Sequence, residues 1–203
     1  MKKALILAVF FTCTSLAVSA QGFYLDVGLG LGKAWTVLNG YDVADDILAD
    51  EPGINEMAVD LSLKAGYGPF GTIPLYVVGE IGGIGHRLYD RSDYMQFNSY
   101  IIGPGVLFYP IPLIQLASSI GYSFVANQSN DPEFEQYYSK SRNGVAWNIS
   151  AAVDIGKSNH ACLIGIKYFY AHNTLQVSNV VEESAMVSIF VKYAFRKKPP
   201  SLF

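Results

Sequence analysis

Eight times along this chain, larger apolar residues alternate with small or polar ones at a period of two. The first instance is GFYLDVGLGLGKAW, residues 22–35: Phe23, Leu25, Val27, Leu29 and Leu31 share one face, while Tyr24, Asp26, Gly28, Gly30 and Gly32 share the other. A period of two is the signature of a β-strand with chemically distinct faces. The same pattern recurs near 58–67, 75–82, 99–108, 114–124, 145–156, 161–170 and 187–195. GLGLGK is therefore read as strand and not as a phosphate cradle. Ala34 follows Lys33 where a Mg²⁺-binding hydroxyl is needed, and the glycine spacing does not match a dinucleotide turn.

Lys2 and Lys3, the apolar run 4–18 and the small residues Val18-Ser19-Ala20 have the form of a secretory signal peptide. Residues 1–20 are expected to be removed, leaving 21–203 as a single domain. Lys2 and Lys3 leave with the signal, so 12 of the 14 basic residues face all 17 acidic ones. The balance is acidic and has no basic patch, which argues against nucleic acid as a partner. Cys162 is the one cysteine after the signal, which excludes an intrachain disulfide in 21–203. His86, His160 and His172 show no metal-ligand spacing, and no cofactor motif is present. After the signal no run approaches the ~18 apolar residues a spanning helix needs. A chain of this kind meets a membrane as a barrel.

The connections carry a second pattern. Short, turn-rich segments near 68–72, 109–112 and 156–160 alternate with longer ones near 36–56, 85–95, 126–143 and 171–184. Short periplasmic turns, longer outer loops and an even strand count are the organisation of a transmembrane barrel. The fold class is all-β, an eight-stranded antiparallel transmembrane β-barrel in the bacterial outer membrane. Aromatic girdles are expected on its apolar face: Phe23, Tyr67, Phe108, Tyr193 and Phe195 at the periplasmic boundary, with Trp35, Tyr122, Trp147 and Tyr168 at the outer one.

The opposite face carries Asp26, Asp60, Lys64, Glu80, Asp154, Lys167 and Lys192. An eight-stranded barrel has an interior that side chains fill, and unpaired buried charge is costly. These seven are expected to form a lumen charge network, either a structural plug or a gate. Lys33 has outward parity, where snorkelling towards headgroups is expected. The acids of 36–56 lack calcium-loop spacing and read as a solvated loop, with a weak divalent-cation or basic-partner surface as the alternative. In 126–143, Phe134, Tyr137 and Tyr138 are read either as an adhesive patch or as packing against neighbouring loops.

The signal peptide, the eight alternating strands and the final VSIFVKYAF resemble the small outer-membrane barrels of the OmpW, OmpX and OmpA type, spirochaete barrels included. That resemblance implies outer-membrane lipid and the barrel assembly machinery as partners, the latter reading a terminal aromatic, Phe195 or Phe203. With OmpW-like proteins as the functional model, it implies binding or passage of small hydrophobic solutes. The alternative is a surface adhesin or structural module whose loops contact a host surface molecule. A third reading follows from likeness to outer-membrane lipid A deacylases: His172 as general base, Thr174 as nucleophile and Glu183 as orienting carboxylate, with threonine where those enzymes carry serine. The preferred reading is not an enzyme.

Overall fold

The computed structural model describes residues 22–45, 53–70, 72–91, 93–156 and 159–196; the signal segment and Phe203 lie outside them. Eight long strands make the wall: β1 (Phe23–Leu38), β3 (Asn55–Tyr67), β4 (Leu75–Asp90), β5 (Asp93–Ile111), β6 (Ile114–Val125), β8 (Ser141–Asp154), β9 (His160–Leu175) and β10 (Val181–Arg196). Two short strands, β2 (Tyr41–Asp42) and β7 (Gln128–Ser129), pair with β1 and β5, and a seven-residue helix α1 (Pro132–Tyr138) precedes β8. Each wall strand pairs antiparallel with the next, and β1 closes on β10 from Tyr24↔Arg196 to Leu38↔Glu182. Between Phe23 and Gly32 of β1 closure leaves no free edge, which is what a sheet in hydrocarbon requires.

The sidedness is inverted relative to a soluble barrel. Leu29, Leu31, Ile81, Ile120, Ile166 and Ile189 face outward, and Ile189 is 68% exposed. Asp26, Asp60, Lys64, Glu80, Lys167 and Lys192 face inward and are buried. An exposed apolar belt around a charged interior is stable only where the surroundings are lipid. The nine residues expected to form girdles lie on the outward face of the wall, where Phe23 meets Tyr67 edge-on at 5.8 Å and Trp147 meets Tyr168 at 5.3 Å.

Gly28 shows why the opening stretch is glycine-rich. A Cβ there would sit 2.6 Å from Cγ of Lys192, so the missing side chain makes room for the lysine stem.

Two of the expected long loops are instead ladder. Asp90 pairs with Asp93, and β9 and β10 run to Leu175 and from Val181, so 85–95 and 171–184 are mostly strand. Wall strands of 12–19 residues exceed the ~9–11 that cross the hydrocarbon. Beyond it the inward residues Leu88, Phe97, Ala171 and Leu175 are still buried, whereas outward positions turn polar at Arg87, Gln96, Asn98 and His172. The contrast between faces that marks a lipid-facing strand disappears there while the pairing continues.

Candidate functional site

The interior has three storeys, counted from the end with the short turns. The first is aromatic. Tyr24, Tyr76 and Tyr109 are fully buried, with ring centroids 5.3 Å and 5.8 Å apart in sequence. Gln115 Nε2 donates to the hydroxyls of Tyr24 (3.1 Å) and Tyr109 (2.7 Å), and the Tyr24 hydroxyl donates to Asp26 Oδ2 at 2.7 Å. Arg196 pairs with Asp154, its guanidinium 5.6 Å from the Tyr109 ring centroid.

The second storey is ionic. Lys64 Nζ lies 2.9 Å from Glu80 Oε2, Lys167 Nζ lies 2.5 Å from Asp60 Oδ1, and Lys167 also stands 4.0 Å from Glu80 Oε1. Asn148 Nδ2 donates to Glu80 (3.1 Å) and Ser188 Oγ to Asp60 (3.1 Å). β4 and β9 stand on opposite sides of the ring, so the contact between Glu80 and Lys167 crosses the lumen. With Phe169, Phe190 and the lysine stems also fully buried, side chains fill the cross-section at this height.

The seven expected charges therefore do not form one network. Asp60, Lys64, Glu80 and Lys167 form the central cluster, while Asp154 belongs to Arg196. Asp26 accepts from Tyr24, and Lys192 Nζ lies 4.4 Å over the Phe190 ring without a hydrogen-bond partner among the described residues. Arg196 was outside the expected set, although it shares inward parity with Lys192 and Ala194; the girdle reading of Phe195 ends the strand one residue too early.

The third storey, at the loop end, has a different chemistry. Glu182 is fully buried and accepts from Asn127 Nδ2 (2.6 Å), Ser184 Oγ (3.2 Å) and Ser99 Oγ (3.4 Å). Asn127 Nδ2 also donates to the carbonyl of Tyr138, at the end of α1. Asp131 caps α1 through the Glu133 amide, and Phe134 tucks its ring 5.4 Å from Phe97. Among the loop aromatics, Phe134 thus packs inward, whereas Tyr137 remains exposed.

A second polar group lies between β1 and β3. Their pairing stops at Gly32↔Ala58, although β1 continues to Leu38. Lys33 pairs with Glu56 across this parting, which replaces the snorkelling expectation. Glu56 Oε1 reaches His86 Nε2 at 3.1 Å, and His86 Nδ1 lies 2.9 Å from Thr36 Oγ1.

Outside the mouth, three connections build one groove of about 470 Å³. Tyr89, Asp90, Asp93 and Tyr94 come from the β4–β5 hairpin, Asn130 and Asp131 from the segment before α1, and Ile54 from the segment before β3. Asn130 fastens the two larger parts: its Nδ2 donates to Asp93 (2.7 Å) and its Oδ1 accepts from the Tyr94 amide (3.1 Å). Arg87 lies beneath, its guanidinium carbon 4.3 Å from the Tyr94 ring centroid.

On the outer wall, His172 Nδ1 and Glu183 Oε1 are 3.3 Å apart, and the Tyr170 hydroxyl donates to the same oxygen at 2.6 Å. The base and carboxylate of the hydrolase reading thus stand together. Thr174 makes no hydrogen bond to His172 among the described residues.

No protein-family model and no curated protein matches the chain. Solved structures do. Ail, the attachment invasion locus protein of Yersinia pestis, crystallised with the heparin analogue sucrose octasulfate, aligns with TM-score 0.53 at 14% identity, over 85% of this chain and 99% of that one. Neisserial surface protein A aligns with TM-score 0.48 at 15% identity, over 84% and 95%. What is shared is the fold. With the inverted sidedness, it makes this chain an eight-stranded antiparallel transmembrane β-barrel of the kind found in small outer-membrane proteins.

Proposed function

We propose that the protein is an outer-membrane barrel that acts through its loop end as a surface-recognition module, its lumen serving as a closed support. In this reading residues 1–20 are cleaved after export, outer-membrane lipid surrounds the wall, and the barrel assembly machinery reads Phe195 or Phe203. The observation that carries it is the contrast between a cross-section filled by Lys64, Glu80, Lys167 and Phe190 and a groove that three separate connections cooperate to build. Asp90, Asp93 and Asp131 with Tyr89 and Tyr94 suit a basic, partly apolar surface segment. They do not suit a polyanion such as the sucrose octasulfate held by Ail.

The test is binding of a labelled oligolysine peptide and of heparin to the barrel in nanodiscs. The reading expects salt-sensitive peptide binding that is lost in Asp90→Asn/Asp93→Asn, and no heparin binding. Peptide binding that survives the double substitution would end it.

A second reading is OmpW-like passage of small hydrophobic solutes. The parting of β1 from β3 favours a sideways route over an axial one. Hydrophobic-solute flux into liposomes that rises in Lys33→Ala/Glu56→Ala would support it; the same flux in protein-free liposomes would remove it. For the hydrolase reading, lipid A deacylation abolished by His172→Ala is the requirement, and an inactive wild type ends it.

A further inference from the structure

Two buried carboxylates of the lumen, Asp26 and Glu182, lack an ion-pair partner among the described residues, and Glu182 is the one at the loop end. Asp60 and Glu80 have lysines and Asp154 has an arginine, but no lysine, arginine or histidine lies within ion-pair reach of Glu182 among the described residues. Its three hydrogen bonds use three of the roughly four acceptor directions a carboxylate offers.

Beside it the polar groups are incomplete. Asn173 is the cross-strand neighbour of Glu182 and is fully buried, and neither Oδ1 nor Nδ2 has a hydrogen-bond partner among the described residues. Asn173 in turn pairs in register with Gly144. A Cβ on Gly144 would lie 2.0 Å from Asn173 Oδ1, so the amide leans across the glycine towards β6. There Ser123 is also fully buried, one residue beyond the Tyr122↔Val145 pair, and its Oγ too has no partner among the described residues. Ser123, Gly144, Asn173 and Glu182 thus form one inward row across four neighbouring strands, roofed by the segment that Asn127 holds down.

We propose that this row is a binding site for a small primary-ammonium compound that also carries a hydrogen-bond acceptor. The ammonium has three N–H donors, and the site offers three acceptors: the Glu182 carboxylate, Asn173 Oδ1 and Ser123 Oγ. Asn173 Nδ2 is left to donate to a hydroxyl or carbonyl of the ligand. Glu182 supplies the charge compensation that a buried cation requires. Asn127 bonds both Glu182 and the Tyr138 carbonyl, so entry requires α1 to lift and occupancy tightens it.

Ethanolamine is the probe, with tetramethylammonium and potassium as cations that lack N–H donors. Thermal unfolding of the refolded full barrel in detergent should shift upward with ethanolamine and with neither control. Glu182→Gln, which keeps the shape and the neighbouring bonds, should weaken ethanolamine binding roughly tenfold or more, and Asn173→Ala should weaken it less. Wild-type protein alone decides the matter if a variant fails to fold. A shift of equal size with tetramethylammonium, or no shift with ethanolamine, overturns the proposal, as does an undiminished shift in folded Glu182→Gln.

Discussion

The second and third storeys of the lumen share strands β8, β9 and β10 and are equally buried, yet they treat charge in opposite ways. In the second, each carboxylate has a lysine, and Glu80 has two within 4.0 Å. In the third, Glu182 has hydroxyls and an amide only. A compensated cluster gains from being left intact. An uncompensated carboxylate is costly to bury unless hydrogen bonds satisfy it, as they do here. One storey holds the barrel shut, and the other is where exchange with the outside is chemically possible.

The largest effect should come from breaking the compensated storey. Glu80→Ala strands Lys64 and weakens the hold on Lys167, and removing one partner of a buried pair costs about 3–5 kcal/mol. Urea unfolding in detergent, read from the gel mobility of the folded band, measures it. A loss under about 1 kcal/mol would mean that water already reaches the cluster and that the storey is not dry.

Arg196→Met should be almost as costly, because Asp154 is left in the lumen without its cation. The comparison sharpens in the double variant Asp154→Leu/Arg196→Met. Replacing both members of a buried pair by apolar residues is often neutral, so the double variant should be more stable than Arg196→Met alone. Additive losses would instead assign Arg196 a packing role against Tyr109.

Glu182→Gln should leave stability within about 1 kcal/mol of wild type. Ser99 and Ser184 have hydroxyls that can turn from donors into acceptors for the new amide, and no lysine is abandoned. A loss as large as that of Glu80→Ala would mean that a cation already compensates Glu182.

Alternation alone legislates most of the fold, since parity separates Leu29 from Gly28 and Ile81 from Glu80 without any three-dimensional knowledge. It is silent about which charges meet. Asp60 and Lys167 are 107 positions apart on strands that are not neighbours, and only the closure of the ring brings them together. The third storey is harder to see for another reason. Inward parity does run on from Ser184 to Glu182 and from Ala171 to Asn173, but their outward neighbours there are Glu183 and His172. With both faces polar, the segment looks like loop. Asn127 has no local signature at all, because its position depends on α1 packing Phe134 against Phe97.

The smallest stability effect belongs to Lys33→Ala. Lys33 is half exposed and its pair with Glu56 is open to solvent on one side, so about 0.2–1 kcal/mol is expected. Its use lies in separating the stability of the wall from its local opening. Between Gly32 and Leu38, β1 has no ladder to β3, and the contact between Lys33 and Glu56 is the more exposed of two polar links across that parting, the other running from Thr36 through His86. Losing it should leave the global unfolding midpoint nearly unchanged while amide exchange speeds up over residues 33–37 and 55–58, which is the pattern of local rather than global opening. Uniformly faster exchange around the ring would mean instead that Lys33 supports the barrel as a whole. Unchanged exchange would mean that the buried contact between His86 and Thr36 keeps the parting closed without it.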